Sequence, residues 1–374
     1  MWYILLPLLT ALSWTVLGVP TASEAPSSTF SDVKVFVPPP NYTDPRVLYA
    51  RTVLLDNGVL LATWENYSPE PPPVYFPIFR SIDGGKTWKE ISHVTDQVNG
   101  WGLRYQPFLY RLPHPIGGYN KGTILCAGNS IPTNLSNTQI DLYASRGNGY
   151  TWEFVSHIAA GGEAVPNDGL TPVWEPFILM YQEKLIVYYS DQRDPAHGQK
   201  LVHQVSYDLK TWEAPVDDVA YADYYARPGM TTVTRLLNHS YIMTYEYGGG
   251  PGFSGYSFPV YYRIASSPLE FNSSIGYPVV AGATHPTLSP YIVWSAAGGE
   301  NGTIMVSCGT LSEVFVNKGL GAVDQWTMVV TPQPAAYSRH LRVMPQRNNL
   351  LIMGAGHLPP STTNNVSLSV IDVP

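Results

Sequence analysis

Short apolar runs, each entered through a polar or glycine-containing turn, recur six times along the chain. Asn57-Gly58 leads into Val59 to Trp64, Lys121-Gly122 into Thr123 to Ala127, and Glu183-Lys184 into Leu185 to Tyr189. His239-Ser240 leads into Tyr241 to Tyr245, Asn301-Gly302 into Thr303 to Ser307, and Asn348-Asn349 into Leu350 to Met353. The runs start 64, 62, 56, 62 and 47 residues apart. Another apolar run precedes each turn, such as Thr52 to Leu55 or Phe177 to Met180, so every unit opens with a hairpin. No helical periodicity competes with this reading.

A second pattern keeps step with the first. Ser81-Ile82-Asp83-Gly84-Gly85-Lys86-Thr87-Trp88 fits Ser-x-Asp-x-Gly-x-Thr-Trp, the Asp box. Ser145 to Trp152 repeats it without the Asp, Ser206 to Trp212 repeats it one residue short, and Ser266 to Phe271 and Asp324 to Trp326 are eroded copies. Asp and Ser side chains can bond the turn's own backbone while Gly takes positive φ. Asp83 is therefore architectural, and the Trp is free to pack back between neighbouring sheets. Strand-rich units of this length predict an all-β fold, a six-bladed β-propeller. The last unit falls short of its outer strand, so Val33 to Val37 is expected to close the ring beside Val366 to Val373, which removes an exposed sheet edge. Residues 26–374 then form one domain.

Composition narrows the function. Charged residues make up 13% of the chain, about half the usual share, and 11 Phe, 10 Trp and 26 Tyr argue against disorder. A net charge of −7 offers no footprint for nucleic acid or an anionic membrane. The first 23 residues lack Asp, Glu, Lys and Arg, and Tyr3 to Val19 is apolar, which reads as a signal peptide cleaved after Gly18 or Ala25. Asn41, Asn66, Asn134, Asn238, Asn272, Asn301 and Asn365 each begin a glycosylation triplet, as expected of a secreted protein. Cys126 and Cys308 fall in opposite blades, too distant to bridge, and are expected as buried free thiols. Zinc-protease, esterase-elbow and phosphate-loop motifs are absent, so no metal or cofactor is expected.

In a propeller the starts of first strands and the ends of second strands meet at the mouth of the central channel. Those positions hold Arg51, Gln106, Glu175, Arg227 and Arg339, and Glu65, Asn129, Asp191, Glu246 and His357. Around them stand Trp101, Tyr105, Trp174, Tyr245, Tyr247 and Tyr337, rings suited to stacking on sugars. Glu175 and Glu246 come from adjacent blades, and a pair of carboxylates flanking one bond is what glycoside hydrolysis needs.

Asp boxes ending in Trp88, Trp152 and Trp212, together with the contexts Trp174-Glu175-Pro176 and Tyr245-Glu246-Tyr247, resemble glycoside hydrolase family 93. The resemblance spans the mature chain. It implies a secreted, retaining exo-α-1,5-L-arabinanase that releases arabinobiose from the non-reducing end of linear arabinan. It further implies Glu175 as nucleophile, Glu246 as acid/base and Tyr337 as the group tuning Glu175. Arg51, Glu65, Trp101, Gln106, Asn129, Trp174, Asp191, Arg227, Tyr245 and Arg339 are then expected to bind substrate, and the chain to act as a monomer. A sialidase is the rival enzyme, since Arg51, Arg227, Arg339 and Tyr337 could serve it, although Tyr49-Ala50-Arg51-Thr52 stands where an Arg-Ile-Pro motif would be. A non-catalytic sugar-binding propeller is the remaining alternative; channel residues that differ between blades favour one central site instead.

Overall fold

The computed structural model describes residues 29–344 and 348–374, so the expected leader, 1–25, lies outside the described residues. Six four-stranded antiparallel sheets form a six-bladed β-propeller. Blade 1 holds β2 (Val47–Leu54), β3 (Leu60–Asn66), β4 (Phe76–Ser81) and β5 (Lys89–Val94). Blade 2 holds β6 (Leu103–Arg111), β7 (Ile124–Ser130), β8 (Thr138–Ser145) and β9 (Glu153–Gly161). Blade 3 holds β10 (Val173–Tyr181), β11 (Lys184–Asp191), β12 (Lys200–Ser206) and β13 (Val216–Val219). Blade 4 holds β14 (Arg227–Arg235), β15 (Tyr241–Gly248), β16 (Val260–Ala265) and β17 (Tyr277–Pro278). Blade 5 holds β18 (Tyr291–Ser295), β19 (Thr303–Ser307), β20 (Val314–Asn317) and β21 (Trp326–Val329).

Blade 6 is made of β22 (His340–Met344), β23 (Asn349–Gly354), β24 (Val366–Asp372) and the first strand of the described residues, β1 (Phe30–Phe36). The ring thus closes as expected, with Lys34 opposite Ser367, although β1 starts three residues earlier than the apolar run suggested. Inner strands touch in the order β2, β6, β10, β14, β18, β22 and back to β2. The core lies between blades rather than at one centre: Phe36 of blade 6 stacks on Trp64 of blade 1, whose ring also meets Phe79 of its own blade at a tilt. Cys126 and Cys308 are buried free thiols in separate clusters.

Asp boxes fasten the seams. Asp83 accepts hydrogen bonds from Ser81 Oγ (2.8 Å), Thr87 Oγ1 (2.6 Å) and the backbone of Lys86 and Thr87 (3.0 Å each). Against the upward pull of partial burial, these donors hold its pKa down at about 2. Trp152 Nε1 donates to Ser92 Oγ of the preceding blade at 3.2 Å, and Trp212 Nε1 to Ser156 Oγ at 3.0 Å. Asp83→Ala is expected to lower unfolding stability by about 1–2 kcal/mol, the size of a lost cap, without changing turnover. Urea denaturation and initial rates on the same preparation check both halves.

One backbone feature repeats around the hub and was not visible in the apolar pattern. Each inner strand carries, among its first four residues or just before its start, a residue in the left-handed region: Tyr49 (φ 56°), Gln106 (58°), Glu175 (63°), Met230 (56°), Ser289 (38°) and Ser338 (56°). In β2, β6, β10 and β14 this residue coincides with a shift of register against the second strand. A bulge of this kind withdraws one residue from the ladder and re-aims it. The N–H it frees points to the preceding blade. Gln106 N donates to Glu65 Oε1 (2.9 Å), Glu175 N to Gln106 Oε1 (3.0 Å) and Met230 N to Glu175 Oε2 (2.7 Å). Ser289 N donates to Glu246 Oε2 (2.7 Å), and Ser338 N to Ser289 Oγ (2.9 Å). The kinks therefore link adjacent blades through hub-facing side chains.

Candidate active site

Glu175 and Glu246 meet over Gly229. A Cβ placed on Gly229 would lie 3.5 Å from Glu175 Oε2 and 3.6 Å from Glu246 Oε1. The two oxygens are therefore at most about 7 Å apart, against about 5–5.5 Å for direct attack and about 6.5–9.5 Å for inverting pairs. Gly229 sits opposite Glu246 in the β14–β15 ladder, and a strand glycine is one mark of a close approach. Gln199 Nε2, which donates to the Pro228 carbonyl, is nearer still at 2.7 Å, so a side chain there would collide with it and crowd both carboxyl groups.

Their surroundings differ. Burial raises the pKa of Glu175, but Ser190 Oγ (2.7 Å) and Met230 N both donate to its Oε2 and favour the charged form, as do the nearby Arg227 and Arg51. Glu246 is buried, feels the charge of Glu175, and has one backbone donor, from Ser289; its pKa is pushed up to about 8. Two donors and two arginines thus favour the charged form of Glu175, whereas Glu246 has a single backbone donor and is pushed up by the Glu175 charge. Unequal environments for two neighbouring carboxyls are how acid and base roles are separated.

A third carboxyl, Glu65, lies at the same mouth. It accepts from Tyr67 Oη (2.8 Å) and Gln106 N, and burial raises its pKa to about 7. Gln106 joins Glu65 to the Glu175 backbone, and Asn129 Nδ2 holds Gln106 Oε1 at 2.9 Å and Val173 O at 3.0 Å. Tyr337 lies near enough for Glu175 and Glu246 to raise its pKa well above the usual phenol value once burial has done so, yet its hydroxyl donates to Met230 Sδ (3.7 Å) rather than to Glu175. Arg227 donates to Asp168 Oδ1 (2.8 Å) and to the Gln192 (3.2 Å) and Gln199 (3.1 Å) side chains.

Glu65 and Glu246 stay protonated in the fold up to about 7 and about 8, against an unfolded value of 4.5. The stability this gives is complete below the unfolded value and is lost as pH rises through the folded ones, by an order of a few kcal/mol. The melting temperature is expected to fall between pH 5 and pH 8.5, and less steeply in Glu246→Gln. A flat profile across that window would contradict the burial described for both groups.

Other expected ligands are engaged elsewhere. Arg51 is buried, with Nη1 on the Ala50 and Ser338 carbonyls and Nη2 on Ser338 Oγ, and it lies over the Tyr49 ring. Arg339 is fully buried and donates to the carbonyls of Ser312, Gln333 and Glu313 between blades 5 and 6. Asp191 is held by the Arg193 side chain and backbone. Tyr245 is buried with its hydroxyl on Tyr221 (2.7 Å), because strand alternation turns it away from the face that bears Glu246. Trp174 is buried too, and its Nε1 donates to Gln192. Trp101 stands half-buried in the loop before β6, where its backbone donates to Asp96. Among the glycosylation triplets, Asn66 is buried in β3, and the packed fold closes off that site.

Sequence reasoning missed Ser190, Gly229, Met230 and Ser289. The run Arg227-Pro228-Gly229-Met230 held the one usable signal, a glycine at the start of a strand.

No family model and no curated protein sequence matches the chain. Solved structures do. An α-L-arabinofuranosidase of Fusarium graminearum, solved with arabinobiose, is 59% identical, with a TM-score of 0.92 over 92% of this chain and 98% of that one. An α-L-arabinanase of Penicillium chrysogenum, also solved with arabinobiose, is 56% identical, with a TM-score of 0.90 over 92% of this chain and 99% of that one. A sialidase of Streptococcus pneumoniae, 10% identical with a TM-score of 0.58 over 95% of this chain and 71% of that one, shares the fold alone. With six blades, two carboxyls facing across Gly229 and more than half its residues in common with the Fusarium enzyme of that family, the chain belongs to glycoside hydrolase family 93 and is a glycoside hydrolase.

Proposed function

We infer that the protein is an exo-α-1,5-L-arabinanase that releases arabinobiose from linear arabinan, with retention of configuration. The observation that carries this is the Glu175–Glu246 pair, which meets over Gly229 with two donors on Glu175 Oε2 and a Glu246 whose pKa burial and the Glu175 charge push up to about 8. Glu175 would attack the anomeric carbon while Glu246 protonates the leaving oxygen, and Glu246, then charged, would activate the water that releases the sugar. Arabinobiose in two relatives above 55% identity supports the product. The apolar leader and the exposed triplets at Asn41, Asn134, Asn238 and Asn272 support secretion.

A sialidase mechanism is less well supported. Of the three arginines such a site would use, Arg339 is taken up by carbonyls between blades 5 and 6, and Arg51 and Arg227, though near Glu175, are both held by protein groups. Incubation with linear arabinan and, separately, sialyl-lactose tests the assignment. Arabinobiose as the early product, with the α-anomer seen first by proton NMR, is expected. Monosaccharide alone, a β-anomer first or sialic acid release would refute it in its corresponding part.

A further inference from the structure

Beside the carboxyls lies a recess of about 400 Å³, within the usual size of small-ligand sites. Pro166 and Asp168 frame it from the loop before β10, Tyr225 and Arg227 from the entry to β14, and Tyr256 and Phe258 from the loop after β15. Its position relative to Glu246 is fixed by the ladder. Gly248 follows Glu246 by two residues and so faces the same way. A Cβ on Gly248 would meet Phe258 at 2.6 Å, Tyr256 Oη at 2.9 Å and Arg227 Cβ at 3.0 Å, so the lining packs directly on this glycine. In register, Gly229 opposes Glu246 and Arg227 opposes Gly248. The recess therefore begins one pleat repeat, about 7 Å, outward from Glu246 along its own strand. None of its residues comes from β10 or β11, the strands of Glu175 and Ser190.

We propose that this recess is the leaving-group subsite, which holds the pentose on the far side of the scissile oxygen. The proposal rests on the reading of Glu246 as the acid: whatever lies beyond the oxygen it protonates belongs to the departing sugar. The lining suits a neutral polyhydroxyl ring. Tyr225 and Tyr256 are 65% and 56% exposed, so each leaves ring surface free for the C–H face of a sugar. Arg227 is held rigidly by Asp168, Gln192 and Gln199, and Asp168, 38% exposed at its side chain, adds acceptors for hydroxyls. Pairing with Asp168 also offsets the Arg227 charge, which disfavours an anionic guest.

The test compares a linear arabino-oligosaccharide with an aryl α-L-arabinobioside, whose good leaving group needs no sugar subsite. Tyr225→Ala and Tyr256→Ala are each expected to lower kcat/KM on the oligosaccharide by at least about tenfold more than on the aryl bioside, with inhibition by arabinobiose unaltered. Tyr256→Phe, which keeps the ring and loses only the bond to the Tyr225 carbonyl, is expected to keep most oligosaccharide activity. Equal losses on both substrates with weaker arabinobiose inhibition would assign the recess to the retained sugars and overturn the proposal; so would rates unchanged on both. A wild-type protein inert on every arabinan while active on another glycoside would instead remove the arabinanase reading beneath it.

Discussion

Glu175→Ala is expected to lower kcat on linear arabinan by about 10⁴-fold or more, with arabinobiose binding retained. The carboxylate is the group placed to attack, and both donors to its Oε2, Ser190 and Met230 N, favour its charged form. Truncation removes the nucleophile but leaves intact the Gln106 side chain that accepts from the residue's backbone N–H. Binding by calorimetry and turnover by product release separate the two effects. Azide should partly restore cleavage of an aryl substrate, entering from the face Glu175 vacates and giving a product of inverted configuration. Unchanged turnover in the variant would remove Glu175 from the mechanism.

Glu246→Ala carries the second large effect, and it should depend on the leaving group. A sugar alkoxide departs poorly without a proton, so arabinan hydrolysis is expected to fall by about 10²–10⁴-fold. An aryl bioside with an acidic phenol needs no such help in the first step, and the covalent intermediate should then accumulate. Azide would release it with the configuration of the starting glycoside, the opposite stereochemical result to that for Glu175→Ala. The pH profile carries the same information. In the wild type the acid is lost as pH rises through about 8, the value to which burial and the Glu175 charge push Glu246. Activity on arabinan should decline through that range, and the basic limb should disappear in the variant. Equal losses on both substrates would deny Glu246 the role of acid.

Much of the fold was legible because propeller blades must repeat. The hairpin turns at Asn57-Gly58 and Asn301-Gly302 and the box around Asp83 encode local backbone geometry that no distant contact has to supply. Glu175 and Glu246 were legible for a related reason: strand order alone brings the start of β10 and the exit of β15 to the hub. What failed was direction. Tyr245 lies one residue from Glu246 and on the opposite face, a distinction that hinges on a single step of register. Arg51 and Arg339 drew notice as scarce charges, yet they satisfy carbonyls between blades, where apolar neighbours leave few other donors. The left-handed bulges left little trace, because Tyr, Gln, Glu, Met and Ser occupy them where glycine would have announced the conformation.

Pairing of β1 with β24 has a consequence for how the molecule comes into being. Phe30 and Val370, partners in that ladder, are separated by 340 positions of chain. During translation β1 must wait, without its ladder partner and carrying Val33, Val35 and Phe36, until β24 has been made. Five blades can assemble in the order of their synthesis; the sixth cannot. Final latching should therefore be the slow phase of refolding, as long-range closures are, and the nascent protein should be most vulnerable to proteases and chaperone capture until β24 joins β1.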